Sequence, residues 1–238
     1  MIVNEKQDGA QAGHVAEVRS GAPNLSDWGA RIVIVLVFIA LAFLGLGGML
    51  RNVPVDNLHK ILSVAASMAN FLFLVLVAAT ALTRLRPVLK AGGIEPRLSA
   101  FLGTFLSVGL AVLPRADLGP ILSVTSTILI IVGATSSFVV LRWLGKSFSI
   151  FAEARRLVTA GPYRLVRHPL YLCEGIALIG VTLQVMSPKA VVISAAIVLL
   201  QFRRMFNEEA VLRSAFPEYR DYAARTPRLV PGFGKLPS

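Results

Sequence analysis

Long apolar runs, broken by short polar, basic or Gly/Pro-rich stretches, dominate the chain. The first runs from Arg31 to Leu50, about 20 residues, roughly what a helix needs to cross ~30 Å of hydrocarbon. The second spans Leu58 to Leu82 with Asn70 near its middle, the shorter third Leu98 to Leu113, and the fourth Leu118 to Leu141. The fifth opens at Pro169 and ends near Met186, where Ser187-Pro188-Lys189 makes a tight turn. The sixth is apolar from Ala190 to Phe202, then amphipathic to about Ala215, and Pro217 opens a last short helix carrying Tyr219 and Tyr222. No stretch alternates in the manner of a strand. Backbone at bilayer depth must satisfy its own hydrogen bonds, so helices are expected throughout. The pattern predicts an all-α, polytopic transmembrane bundle of about six spans, with Gly45, Gly47 and Gly48 permitting close packing of the first helix.

Composition strengthens this reading. The chain is 55% hydrophobic and 16% charged, against about 25% charged in soluble domains. So much apolar surface does not fit inside one water-soluble core of this length. The net charge of +11 would suggest nucleic acid in a soluble protein, but here the positives lie between and after the apolar runs. With six spans, one side holds 20 Lys and Arg and the other only Arg51, Lys60, Arg115 and Lys189. That asymmetry predicts both termini in the cytoplasm. Residues 1–27 mix acidic and basic groups without an apolar core and read as a polar tail, not a signal peptide. Residues 28–143 then form four spans facing lipid or an acceptor, and 144–238 form a catalytic region. The single cysteine, Cys173, rules out an intrachain disulfide and a thiolate metal cluster, and no metal site is expected.

Candidate chemistry concentrates in Leu157 to Glu174, LVTAGPYRLVRHPLYLCE. Gly161-Pro162 sets a turn. Arg164, Arg167 and His168 crowd the membrane interface, and Pro169 starts a helix whose unpaired N–H groups favour an anion. The same positives also serve as topology signals and contacts for lipid phosphate. Glu174 lies one turn inside an apolar segment, where a carboxylate is costly and tends to be functional, unless it pairs with Arg164 or Arg167. A second group, Arg203-Arg204-Met205-Phe206-Asn207-Glu208-Glu209, sits where the sixth helix leaves the membrane. Arg204 with Glu208, and Glu209 with Arg213, are spaced for helical ion pairs. A tight turn at 187–189 would bring both groups to one membrane face, with Tyr163, Tyr171, Phe206, Tyr219 and Tyr222 as aromatic walls.

These residues resemble the isoprenylcysteine carboxyl methyltransferase family. GPYRLVRHPLY, then Arg-x-x-x-Glu-Glu on the next helix and FPEYRDY, carry the likeness, with LGKSFSI and TPRLVPG at its edges. It covers roughly residues 144–232; Lys146 stands where Arg is expected. The resemblance implies an S-adenosylmethionine-dependent methyltransferase with its cofactor at the cytosolic membrane face and a lipophilic or lipidated acceptor arriving from the bilayer. By position, Tyr163, Arg164, Val166, Arg167, His168, Pro169, Tyr171, Leu172 and Glu174 would line the cofactor site, with Glu208 and Glu209 completing it. Arg204 would sit near the acceptor carboxylate, with Glu208 beside it in the catalytic set.

Two other readings remain open at this level. A membrane reductase binding NADPH would use Arg155, Arg156, Arg164 and Arg167 as a phosphate clamp; the Glu208-Glu209 pair favours a cationic cofactor instead. A non-catalytic membrane protein is the other. No Gly-rich loop follows a strand, which excludes the common soluble methyltransferase fold.

Overall fold

The computed structural model describes residues 25–50 and 54–230. Most of the polar stretch 1–27 lies outside these residues, as do Arg51 and Lys235. Helix dominates. The order is α1 (Leu25–Leu50), α2 (Leu58–Thr83), β1 (Leu89–Lys90), α3 (Glu95–Phe105), α4 (Val108–Ala111), α5 (Pro120–Leu144), β2 (Glu153–Ala154), α6 (Pro169–Gln184), α7 (Pro188–Ala215) and α8 (Tyr219–Arg225). Local chemistry sets the boundaries. Asn57 accepts the Lys60 N–H at 2.9 Å to cap α2. Ser187 caps α7 through the Ala190 N–H at 3.2 Å, with Pro188 just inside the start. Gly145, at φ +52, ends α5.

Among the described residues, three helices are long and apolar enough to cross a bilayer: Leu58–Thr83, the α5 segment Pro120–Ser147, and Pro188–Ala215. Arg31–Gly47 and Pro169–Gln184 are apolar but shorter. The third stretch, read as one span over 98–113, is broken. It folds as the 11-residue α3, about 16 Å long, and the one-turn α4, with Leu106 and Ser107 between them.

The broken piece nonetheless covers the height of the last hairpin. At one end Glu95 accepts from Arg203 of α7 at 2.8 Å. At the other Leu110 is fully buried with Val185, Ala190 and Ile197, and the Ala116 N–H donates to the Gln184 carbonyl at 2.9 Å. Helices α2 and α5 run parallel: His59 meets Ser123 at their starts at 3.3 Å, and the Leu85 N–H donates to the Lys146 carbonyl at 2.9 Å just past their ends. Helix α6 runs back along α5. Gly133 faces Ala177 and Gly180 faces Ser126, so closely that a Cβ would come within 2.5 Å and 2.6 Å of backbone atoms. Close packing therefore falls at Gly133 and Gly180. The expectation for Gly45 and Gly47 is corrected, since a Cβ at either meets nothing within 4 Å, while the surroundings of Gly48 lie outside those described. The ends of α2 and α5 and the start of α6 gather at one end of the bundle, where β1 and β2 pair antiparallel, Leu89 opposite Ala154.

The main core joins α1, α2, α5 and α6 through Phe38, Val77, Leu141 and Leu170. Outward-facing Leu44, Ile121, Val192 and Leu199 are strongly exposed, as expected where the surrounding solvent is hydrocarbon rather than water.

Candidate functional site

Gly161 sits at φ +61, with the Trp143 ring 2.6 Å from where a Cβ would lie. No other residue meets both demands. The chain then makes a short 3-10 turn, Gly161–Arg164, before Pro169 opens α6. This delivers Tyr163, Val166, Arg167, His168, Pro169 and Tyr171 as buried groups. Arg164 and Leu172 stay exposed on the outer surface.

Helix α7 places Glu208 and Glu209 against this wall. Glu209 is 2% exposed and carries a ring of donors. His168 Nε2 lies 3.1 Å from its Oε1, and Arg167 pairs with its Oε2 at 3.2 Å. Arg228 donates to both oxygens at 2.9 Å, and Arg213 donates at 3.3 Å. One carboxylate thus draws α6, α7 and the chain after α8 together. The hydrogen bond from Arg228 raises that guanidinium's pKa further above its ordinary value. Glu208 is freer, with a quarter of its side chain exposed; Tyr171 donates to it and His168 Nδ1 lies 4.0 Å away.

Sequence reading missed the part played by Arg228. Just before α6 the Arg167 and His168 N–H groups donate to the carbonyls of Pro227 and Arg228, at 2.8 and 3.1 Å. The TPR tripeptide at 226–228 carried the signal, but only as an edge of the resemblance. Tyr222 closes the same region by donating to the Tyr163 carbonyl at 2.7 Å. Burial, with Glu208 nearby, raises the pKa of the Tyr163 phenol well above its ordinary value.

Inside the bundle these groups form the polar wall of a chamber of about 440 Å³. Tyr163, His168, Tyr171, Glu174, Arg204 and Glu208 line it on one side; Phe38, Phe73, Leu74, Val77 and Phe105 line it on the other. Asn70 also reaches it. Arg204 is 9% exposed, donates to the Ile150 carbonyl at 3.1 Å, and lies 5.2 Å over the Tyr171 ring. Glu174 accepts from Gln201 at 3.3 Å rather than pairing with Arg164 or Arg167. Tyr219 and Tyr222 join the lining, whereas Phe206 turns outward under Arg228, 4.4 Å away.

A carboxylate and a buried guanidinium thus stand beside aromatic faces on one wall of a largely apolar chamber between helices. Residues 117–219 match the phospholipid methyltransferase family, which is of the isoprenylcysteine carboxyl methyltransferase type of membrane methyltransferases. Methyltransferases of that family generally use S-adenosylmethionine. A nickel-cobalt-cadmium resistance protein of Alcaligenes xylosoxydans xylosoxydans is 38% identical over 84 residues, 33% of this chain and 38% of its own. A cobalt-zinc-cadmium resistance protein of Cupriavidus metallidurans is 42% identical over 80 residues, 32% of this chain and 35% of its own. The chain thus spans little more than a third of the length of these relatives.

Proposed function

We infer that this protein moves a methyl group from S-adenosylmethionine to a lipophilic carboxylate at the cytoplasmic membrane face. The observation that carries this reading is the shared chamber. The accessible carboxylate Glu208 and the buried guanidinium Arg204 face one space whose opposite wall is hydrocarbon-like.

The chamber's chemistry fits the cofactor. Glu208, Glu174 and the Tyr163 and Tyr171 rings suit a molecule bearing a sulfonium and an ammonium. When bound, that cofactor supplies an electrophilic methyl whose sulfur leaves as a neutral thioether. Arg204 holds the acceptor carboxylate; its buried Nε has no hydrogen-bond partner within the protein. An ionised carboxylate attacks with its own lone pair, so no protein base is required. Catalysis then rests on alignment and on exclusion of water by Phe73, Val77 and Phe105.

The topology supports the same face for the site and both termini, since the positives concentrate there. Mass spectrometry of membrane extracts from cells with and without the protein tests the reading. A lipid-soluble acid that gains one methyl only when the protein is present supports it. A methylated amine and no methylated acid would move the acceptor assignment to an amine headgroup. The resistance relatives suggest a setting: loss of the protein should lower tolerance to cobalt or cadmium if the methylated product acts in the metal response.

A further inference from the structure

Arg155 stands at the chamber wall with no role in the chemistry above. It is 6% exposed, and its side chain is almost wholly enclosed. Its Nη2 donates to Glu153, which also accepts from Ser149 at 2.9 Å and faces Lys90 at 3.7 Å. Its Nε and Nη1 are buried without any hydrogen-bond partner. Ser147 Oγ, on the same chamber lining, is also buried and unpartnered. Burial, together with Arg84 and Arg31 nearby, depresses the Arg155 pKa below its ordinary value.

Buried donors are nearly always satisfied, and an unpartnered guanidinium N–H suits a carboxylate oxygen. Arg167 and Arg228 pair with Glu209, and Arg204 donates to Ile150 while its Nε, like those of Arg155 and Arg167, has no hydrogen-bond partner.

We propose that Arg155, through its unpartnered Nε and Nη1 donors and with Ser147 on the same chamber wall, is the receptor for a carboxylate inside the chamber. This rests on the methyltransferase reading for one of its two sources, the amino-acid tail of the cofactor. The other source is the acid end of a lipid.

Binding by titration calorimetry in detergent separates the cases. Wild type, Arg155→Gln and Glu153→Gln are each titrated with S-adenosylhomocysteine, with 5′-methylthioadenosine (which lacks the amino-acid tail), with palmitate and with methyl palmitate. If the cofactor tail is the ligand, Arg155→Gln weakens S-adenosylhomocysteine by tenfold or more and leaves 5′-methylthioadenosine unchanged. If the lipid acid is the ligand, the same variant weakens palmitate alone. Glu153→Gln, which strips Arg155 of its carboxylate, tightens whichever acid binds. Opposite signs in the two variants do not arise from misfolding. Equal weakening of all four ligands, or no change in any, overturns the proposal. Failure of the wild type to bind either nucleoside overturns the methyltransferase reading, while the palmitate arm still tests Arg155.

Discussion

Arg228 grips Glu209 with two parallel hydrogen bonds, Nε and Nη2 each 2.9 Å from a carboxylate oxygen. This fork is the strongest geometry available to a guanidinium and a carboxylate. It gives the two adjacent glutamates different tasks: Glu209 holds the walls together and Glu208 faces the chamber. Replacing Glu209 by Gln leaves Arg167 and Arg228 without their shared anion. Stability should fall by roughly 3–5 kcal/mol, the usual cost of breaking a buried pair on one side. Glu208→Gln should unfold close to wild type yet lose methyl transfer. Thermal unfolding in detergent, paired with a labelled-methyl assay in membranes, reads both; a Glu208→Gln protein with full transfer would sink its assignment.

Gly103 offers a subtler handle on Arg204. A Cβ there would come within 2.9 Å of the Arg204 Cδ, the flexible part of a long side chain. Gly103→Ala should therefore displace Arg204 while costing little stability, since the helix itself favours Ala by about 1 kcal/mol. Methyl transfer is expected to drop several-fold with the unfolding temperature nearly unchanged. Transfer at the wild-type rate would separate Arg204 from the reaction.

The α5–α6 contact should be the least forgiving part of the bundle. Gly133→Ala or Gly180→Ala drives a methyl into backbone atoms of the facing helix, a strain of roughly 1–3 kcal/mol or more. Gly45→Ala meets nothing and should be neutral or mildly stabilising. Chemical denaturation of the three variants side by side checks the ranking.

Acid should loosen the link between α3 and α7. The Arg203 hydrogen bond lowers the Glu95 pKa below its ordinary value. Its folded pKa therefore lies below the unfolded one. The stabilisation is present above the unfolded value, about 4.3, and is lost as pH falls through the folded value. The pair is about half exposed, so screening limits it to a few tenths of a kcal/mol. Glu95→Gln should be slightly less stable than wild type at pH 7, and the gap should close at pH 3. A gap that persists in acid would rule out the charge as its source.

Much of this was legible in the apolar pattern, because long helices need only a sustained run of lipophilic residues. The chain reversal at 187–189 and the meeting of His168 with the Glu208-Glu209 pair followed from it. The break at Leu106–Ser107 did not, since hydropathy is blind to a one-turn interruption between apolar residues. The roles of Arg228 and Arg155 were hidden for a different reason. Charged residues in loops read as topology signals, and only three-dimensional proximity to Glu209 or to the chamber separates them from the rest. Glycine misled in α1 and was silent in α5 and α6, because closeness depends on which face meets a neighbour.

The bonds from Arg167 and His168 to the carbonyls of Pro227 and Arg228 also impose an order on the protein's birth. Helices α5 to α7 can enter the membrane while the ribosome is still adding residues. The pocket wall at the start of α6 stays unfinished until the stretch around 227–228 has emerged from the exit tunnel and folded back. A newly inserted hairpin thus lacks this part of its wall until the stretch around 227–228 clasps it.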